Sequence, residues 1–112
     1  MKTHQMKLND RPFRDIKAGI KTVEIRLYDQ KRKAIEIGDQ IMFSCGDESI
    51  SVVVTGLSRF ATLVELFSSL GGVAAGWPAL DSPVKMAQDM RKYYTAEEEV
   101  KYGVLGIHFK RM

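Results

Sequence analysis

Apolar and polar residues alternate along several short stretches of this chain, as they do in β-strands that bury one face. The alternation predicts strands over 1–8, 21–28, 40–45, 49–57 and 103–110. Between them, capping residues precede apolar residues at helical spacing and predict helices that begin at Asn9 or Asp10, at Thr62 and at Thr95, with another over 84–94. This mixture favours an α+β fold with a closed or nearly closed sheet and helices packed against it.

The predicted strand over 21–28 places its polar side chains on one face. Val23, Ile25 and Leu27 form the apolar face. The other face carries Thr22, Glu24, Arg26 and Tyr28, with Lys21 at the entrance to the strand. A carboxylate beside a guanidinium and near an ammonium can orient a polar substrate or accept a proton. The alternative is an ion pair on a solvated face, and spacing alone favours that alternative.

A basic cluster follows this strand. Lys31, Arg32 and Lys33 are consecutive, and segment 21–33 has an excess of three positive charges, equal to the net charge of +3 of the whole chain. Arg32 is the best candidate for a phosphate contact, because a guanidinium binds phosphate in a bidentate manner. Tyr28 is a candidate for stacking on a base. The alternative is a solvated helical turn, as most short charged runs are.

The least regular part of the chain is segment 71–83, where Gly, Ala and Pro surround the only tryptophan. We expect this segment to be a mobile loop or one that contacts a partner. Trp77 either stacks on a base or seals the open end of the core, and the second role is the more common one.

The composition is that of an ordinary globular chain, with 45% hydrophobic and 28% charged residues among 112. This length predicts a single domain over 1–112. No apolar stretch approaches the roughly 20 residues that span a bilayer, and the N-terminus lacks the apolar segment of a signal peptide. Cys45 is the only cysteine, which suits a reducing compartment. We therefore expect a cytoplasmic protein with no membrane partner.

Few residues suggest a metal site or covalent catalysis. His4, His108 and Cys45 lack the spacing of metal ligands, so we expect neither a metal nor a cofactor. The glutamates over 97–99 offer an acid or base, but we expect at least two of them to serve a helix N-terminus instead.

The segments described above resemble the ASCH domain, a branch of the PUA-like superfamily. Three segments carry the resemblance: Met6-Lys7-Leu8 leading to Phe13-x-x-Ile16-Lys17-x-Gly19, then Lys21-Thr22-Val23-Glu24-Ile25-Arg26-Leu27, then Ile37-Gly38-Asp39-x-Ile41-x-Phe43. The end of the chain, from Tyr93 to Phe109, is similar to the close of bacterial stand-alone forms. Together these segments cover essentially the full chain.

The resemblance implies a small PUA-like β-barrel of about five to six strands with flanking helices and a cleft between them. It also implies a role around RNA, because PUA-like domains commonly bind RNA or modified bases. Some small relatives look like amidohydrolases that remove an acyl group from acetylated cytidine, using a lysine, a threonine and a distant glutamate. Lys21 matches that lysine, but Glu24 stands at the position of the threonine. The distant glutamate has no secure match; Glu65 and the glutamates over 97–99 are the candidates.

The sequence therefore predicts a cytoplasmic protein that binds RNA or a modified nucleoside in a basic cleft. The expected ligand-binding residues are Lys21, Thr22, Glu24, Arg26, Tyr28 and Arg32. The alternative is a small amidohydrolase acting on an acylated nucleoside, with Lys21 and Glu24 as its catalytic residues.

Overall fold

In the computed structural model, which describes residues 1–112, five strands form one mixed sheet and four α-helices pack around it. The strands are β1 (Thr3–Lys7), β2 (Val23–Leu27), β3 (Gln40–Cys45), β4 (Glu48–Phe60) and β5 (Val104–Arg111). The helices are α1 (Asp10–Lys17), α2 (Leu63–Leu70), α3 (Pro83–Asp89) and α4 (Ala96–Tyr102). Short 3₁₀ turns occupy Arg32–Ala34, Val73–Ala75 and Met90–Lys92. The α+β class and the strand number predicted for a PUA-like sheet are confirmed.

The strands follow the order β1-β3-β4-β5-β2, so β1 and β2 are the two edges of the sheet. Strand β1 runs parallel to β3, and every other pair is antiparallel. The sheet curls into a half-barrel. The long strand β4 carries a bulge between Val54 and Gly56. A bulge bends a strand and increases its twist, which suits a curled sheet. The Arg26 guanidinium on β2 donates to the carbonyl oxygen of Lys7 on β1 at 3.2 Å, so one side chain links the two edge strands.

Two apolar clusters cover the two faces of the sheet. The inner cluster contains α1 residues and inward-facing strand residues: Met6, Phe13, Ile16, Ile35, Ile41, Phe43, Ile50, Val52, Val54, Leu105, Ile107 and Phe109. The outer cluster joins β2 and β5 to α2 and α3: Val23, Ile25, Leu27, Leu63, Leu66, Phe67, Ala75, Met86, Ala87, Met90 and Val104. Strand β2 therefore buries its apolar face outward against helices, as the alternation predicted.

The glutamates near the end of the chain have structural partners. Thr95 and Glu98 form a reciprocal capping box at the start of α4. Glu99 is buried and accepts hydrogen bonds from the Leu63 backbone N–H at 2.6 Å and from Arg91 at 2.5 Å. It therefore binds the N-terminus of α2, and the expectation that two of the three glutamates serve helix ends is confirmed.

Asp39 anchors the first strand to the turn before β3. Its buried carboxylate accepts hydrogen bonds from the backbone N–H groups of Lys2 and Glu36, both at 3.0 Å, and lies 2.9 Å from His4 Nε2. The hydrogen bond to His4, followed by those from the backbone, lowers the pKa of Asp39 well below its ordinary value.

The structure differs from the predicted elements most clearly at three places. Strand β4 runs to Phe60, three residues beyond the strand predicted over 49–57. The helix predicted over 84–94 is shorter, because α3 ends at Asp89 and a 3₁₀ turn follows. Segment 71–83, expected as a loop, contains a 3₁₀ turn and packs onto the outer cluster through Ala74, Ala75 and Trp77. None of the helices has both the length and the apolar character needed to span a bilayer.

Candidate functional site

A cleft of about 1020 Å³ is lined by Glu24 and Arg26 from the polar face of β2. Three parts of the chain line it: α1 with the turn before it, β2 with Lys21, and the segment from Ala75 to Tyr94. This volume lies at the upper end of the range of small-molecule sites, roughly 300–1,000 Å³. The cleft is therefore large enough for a nucleoside.

Three charged side chains form a connected set in this cleft, which we call the basic triad: Lys21, Glu24 and Arg26. Lys21 Nζ lies 2.9 Å from Glu24 Oε1, and Arg26 Nε donates to Glu24 Oε2 at 2.8 Å. The side chains are 8%, 7% and 16% exposed, respectively. Because two cations share one carboxylate, the basic triad carries a net positive charge, and its three side chains are largely shielded from solvent.

The basic triad retains hydrogen-bond donors for a ligand. Lys21 donates a hydrogen bond to the carbonyl oxygen of Ala75 at 3.1 Å, and Arg26 donates one to the carbonyl oxygen of Lys7 besides the one to Glu24. An ammonium has three N–H groups and a guanidinium has five. At least one N–H of Lys21 and three of Arg26 therefore have no protein acceptor.

Sheet pairing determines where the polar face of β2 points. Glu24 lies opposite Ile107 and Arg26 opposite Leu105 in the register with β5. Paired residues share a face of the sheet, and both β5 residues belong to the inner cluster. Glu24 and Arg26 therefore point into the half-barrel.

Gly76 allows segment 71–83 to approach the basic triad. Its φ of +92° is left-handed, a conformation that glycine adopts without steric cost. A Cβ at this position would lie 3.3 Å from Asp15 Oδ2 and 3.7 Å from Lys21 Cδ. A side chain here would therefore crowd Asp15 on α1 and contact the Lys21 side chain.

Outside the basic triad, the cleft is lined by four cations and by three carboxylates, those of Asp15, Asp81 and Asp89. Lys85 is held by Asp89 at 3.0 Å and by Asp81 at 3.4 Å, and these hydrogen bonds raise the pKa of Lys85. Three other exposed cations line the cleft and form no ion pair: Lys7, Arg11 and Lys92. These three cations are available to an anionic ligand.

Aromatic side chains form part of the same wall. Trp77 packs edge-on against Phe67, with ring centroids 5.8 Å apart and an interplanar angle of 80°. Tyr93 and Tyr94 also line the cleft. Burial raises the pKa of Tyr94, so its phenol stays protonated at neutral pH. The cleft thus combines a buried positive charge with flat aromatic surfaces.

Comparison with known proteins assigns the fold to a family. A model described as the ASCH domain matches residues 6–112. The chain belongs to the ASCH domain family. No curated protein is similar enough to match it.

Solved structures agree with this family assignment. The hypothetical protein PH0355 is 33% identical, with a TM-score of 0.88 over 98% of this chain and 99% of that chain. Protein PF0455 from Pyrococcus furiosus is 31% identical, with a TM-score of 0.78 over 98% of this chain and 97% of that one. A mutant of ZmASCH from Zymomonas mobilis has a TM-score of 0.68 at 16% identity, covering 97% of this chain and 68% of that chain. This last likeness shows the shared PUA-like fold alone.

In this ASCH domain, three of the six residues predicted to bind a ligand come together. Lys21, Glu24 and Arg26 line one cleft and contact one another. Glu24 and Arg26 do pair, as the alternative interpretation required, but that interpretation was wrong about the surroundings. Glu24 is 5% exposed rather than solvated.

The other three predicted residues lie outside the cleft. Thr22 is exposed, and its backbone bonds to Ala74 and Phe109. The Tyr28 ring lies under the Arg59 guanidinium, and Arg32 pairs with Asp29 at 2.9 Å. The basic cluster over 31–33 therefore does not line the cleft of the ASCH domain.

Several cleft residues were absent from the sequence-based prediction. Asp15, Tyr93 and Tyr94 line the cleft, as do the rim cations. The Tyr93-Tyr94 pair is a visible signal, because adjacent aromatic residues outside a predicted strand are candidates for a binding wall. Asp15 gives no such signal, since a helix surface normally carries charged residues.

The glutamates considered for catalysis lie away from the cleft. Glu65 is exposed on α2, and those over 97–99 belong to α4. The carboxylates that do line the cleft are Asp15, Glu24, Asp81 and Asp89. Nowhere do three or more His, Cys, Asp or Glu side chains come together in a way that would hold a metal ion.

Proposed function

We propose that this ASCH domain binds RNA or a modified nucleoside, with one base inserted into the cleft, as part of cytoplasmic RNA metabolism. The observation that carries the proposal is the basic triad, a buried set with a net positive charge and unused donors. Lys21 and Arg26 hold carbonyl or anionic groups of the ligand, and Glu24 accepts a hydrogen bond from a donor on the base edge.

The shape and the rim of the cleft suit a nucleotide. Trp77 and the two tyrosines offer rings on which a base can stack, and such stacking contributes about 1–3 kcal/mol per base. The rim cations Lys7, Arg11 and Lys92 are exposed and unpaired, so they can meet phosphates without breaking an existing ion pair. This arrangement assigns phosphate contacts to the rim rather than to Arg32, whose side chain pairs with Asp29.

Trp77 provides the test, because it is the only tryptophan and lines the cleft. Short single-stranded RNA and a panel of modified nucleosides are titrated at two salt concentrations while tryptophan fluorescence is followed. We expect the ligand to quench the Trp77 fluorescence, and we expect the affinity obtained from this quenching to fall at least tenfold in Arg26→Met. For RNA, a change of Lys7 or Lys92 to Gln lowers the salt slope by about 0.7 for each phosphate that the side chain no longer neutralises.

Lys110→Gln is the matched control, because Lys110 is exposed on β5 and does not line the cleft. If neither RNA nor any nucleoside binds, or if Arg26→Met binds as the wild type does, the proposed function is refuted. Salt-insensitive binding of one nucleoside, with RNA ignored, would restrict the ligand to the free nucleoside.

A second candidate function is amide hydrolysis of an acylated nucleoside, and the 2.9 Å contact between Lys21 and Glu24 favours it. In this reaction Glu24 takes a proton from water, and the resulting hydroxide oxygen attacks the acyl carbonyl carbon. The Lys21 ammonium stabilises the oxyanion. The C–N bond then breaks, the proton passes from Glu24 to the leaving amine, and a carboxylic acid and the free nucleoside are released.

The carboxylate thus replaces the threonine hydroxyl of the resembling amidohydrolases, with water as the nucleophile. Glu24→Gln separates the two functions. For a hydrolase, Glu24→Gln keeps nucleoside binding but loses product formation, measured by chromatography of acetylated cytidine and cytidine. Turnover that is unchanged in Glu24→Gln would exclude Glu24 as the base.

A further inference from the structure

A second, smaller pocket of about 350 Å³ lies where β2 and β4 end and β5 begins. We call it the tyrosine pocket, because Tyr28, Phe60 and Tyr102 line it together with Arg59. Gly103 also lines it with a φ of +71°, and a Cβ there would approach the Phe60 carbonyl oxygen to 3.1 Å. None of the lining residues is acidic.

Cations surround the aromatic rings of this pocket. The Arg59 guanidinium carbon lies 3.9 Å from the centroid of the Tyr28 ring, and Lys33 Nζ lies 5.6 Å from the same centroid. Lys101 Nζ lies 5.1 Å from the centroid of the Tyr102 ring. Arg59, Lys33 and Lys101 are exposed and form no ion pair. The pocket therefore presents flat rings together with positive charge that has no acidic partner.

The tyrosine pocket and the cleft lie along the same strand. Tyr28 directly follows β2 and lies two positions after Arg26, and side chains two positions apart along an extended chain are about 7 Å apart. The carboxylate next to Tyr28 belongs to Asp29. It is neutralised, because Arg32 Nη1 lies 2.9 Å from Oδ2 and the Arg32 backbone N–H donates to Oδ1 at 3.1 Å. The residue that follows Tyr28 therefore presents no unpaired carboxylate to the tyrosine pocket.

We propose that the tyrosine pocket is a second nucleotide site, which receives a base flanking the one in the cleft, so that the partner is a single-stranded nucleic acid rather than a free nucleoside. The base stacks on Tyr28 or Tyr102, while Arg59, Lys33 and Lys101 meet the phosphates on either side. This inference rests on the proposed function, because it extends the ligand of the cleft. Unpaired cations beside the exposed Tyr102 ring and the half-buried Tyr28 ring favour an anionic, ring-bearing partner over an apolar peptide.

The test compares two ligands on the same set of variants. A labelled short single-stranded oligouridylate is measured by fluorescence anisotropy, and uridine monophosphate is measured by quenching of Trp77. Tyr102→Leu and Arg59→Gln alter exposed side chains, Tyr102 being 36% exposed, so both variants should fold. Tyr28→Leu is a third variant, with Tyr28→Phe as its matched control that keeps the ring.

We expect Tyr102→Leu and Tyr28→Leu to weaken oligonucleotide binding about 5- to 150-fold, and Tyr28→Phe to bind as the wild type does. Arg59→Gln should also lower the slope of log affinity against log salt by about 0.7 for each phosphate that Arg59 neutralises. Binding of the monophosphate is expected to depend on Arg26 and to stay within about twofold in the tyrosine-pocket variants.

The outcomes separate this inference from the proposed function. If the oligonucleotide binds all tyrosine-pocket variants as it binds the wild type, while Arg26→Met loses both ligands, the inference is overturned and the proposed function stands. The tyrosine pocket would then be a surface for a protein partner or a packing feature. If the wild type binds neither ligand at any salt concentration, the inference is overturned, and the proposed function is refuted only if the panel of modified nucleosides does not bind either.

Discussion

Within the basic triad, loss of Glu24 should destabilise the protein more than loss of Lys21, because Glu24 pairs with two cations whereas Lys21 pairs with one carboxylate. In Glu24→Gln, both Lys21 and Arg26 lose their carboxylate while remaining in a site where the lysine is 8% and the arginine 16% exposed. In Lys21→Met, the pair between Glu24 and Arg26 survives at 2.8 Å. Removing the shared anion should therefore cost much more than removing one cation.

The magnitudes follow from the burial of the triad. Removing one partner of a buried ion pair typically costs about 3–5 kcal/mol, because the remaining charge is left without compensation. The cleft admits water, so we expect about 3 kcal/mol for Glu24→Gln, the lower end of that range. Lys21→Met keeps the volume of the side chain and loses the hydrogen bond to Ala75, so about 1 kcal/mol is expected.

Urea unfolding followed by circular dichroism measures both changes. With a slope of about 1–2 kcal/mol per M, the midpoint should fall by roughly 2 M in Glu24→Gln and by roughly 0.5–1 M in Lys21→Met. The double variant should be more stable than the sum of the two losses predicts, since it leaves one unpaired cation rather than two. Glu48→Gln is the control: its ion pair with Lys17 is exposed, and its midpoint should not move.

Equal midpoints for Glu24→Gln and Lys21→Met would refute this reasoning, because they would show that the carboxylate does not stabilise two cations at once. A Glu24→Gln variant as stable as the wild type would refute it as well. In that case the cations would be solvated in the free protein, and the geometry of the triad would not reflect buried charge.

Asp39 should control stability in acid: its pKa is lowered in the folded state, so its contribution is complete above about pH 4 and is lost as the pH falls towards the folded pKa. Asp39→Asn should therefore be less stable than the wild type at neutral pH, and its free energy of unfolding should fall less on acidification. The same pH dependence of the unfolding free energy in both proteins from pH 6 to about pH 2 would contradict this assignment. Gly76→Ala forces a left-handed φ of +92° on a residue with a Cβ, and a loss of about 1–2 kcal/mol in thermal unfolding, with weaker ligand binding, is expected; an unchanged melting temperature would argue that the loop relaxes. Trp77→Ala should cost about 3 kcal/mol because Trp77 packs on Phe67 as well as lining the cleft, whereas Trp77→Phe should retain most of that stability. If Trp77→Ala unfolds at the wild-type urea concentration, Trp77 is not part of the core.

Local patterns predicted much of the fold correctly. The alternation around Glu24 identified the polar face of β2, and Thr62 and Thr95 marked the starts of helices that both residues do cap. These signals involve residues within a few positions of one another, where strand period and capping chemistry are decisive.

The burial of the polar face could not be predicted from the same signals. A strand in which polar and apolar residues alternate is ordinarily solvated on its polar face. The polar face of β2 points into the half-barrel because Glu24 pairs with Ile107 on β5, far away in the sequence. The wall around Gly76 and Trp77 depends on equally distant contacts, such as the one between Lys21 and Ala75. The basic run over 31–33 was predicted to contact phosphate in the cleft but lies outside it. Its Arg32 forms an ion pair with Asp29, three residues earlier in the chain.

The position of β2 in the sheet affects the order in which the cleft can form. Strand β2 pairs only with β5, so Val23 meets His108 from the far end of the chain. Contacts of such long sequence separation are slow to form and close large loops. The Lys21-to-Leu27 segment therefore cannot form the cleft as an isolated peptide. A chain without β5 would contain every residue of the basic triad and yet have no cleft. Formation of the cleft thus reports that the last strand has been made and has docked.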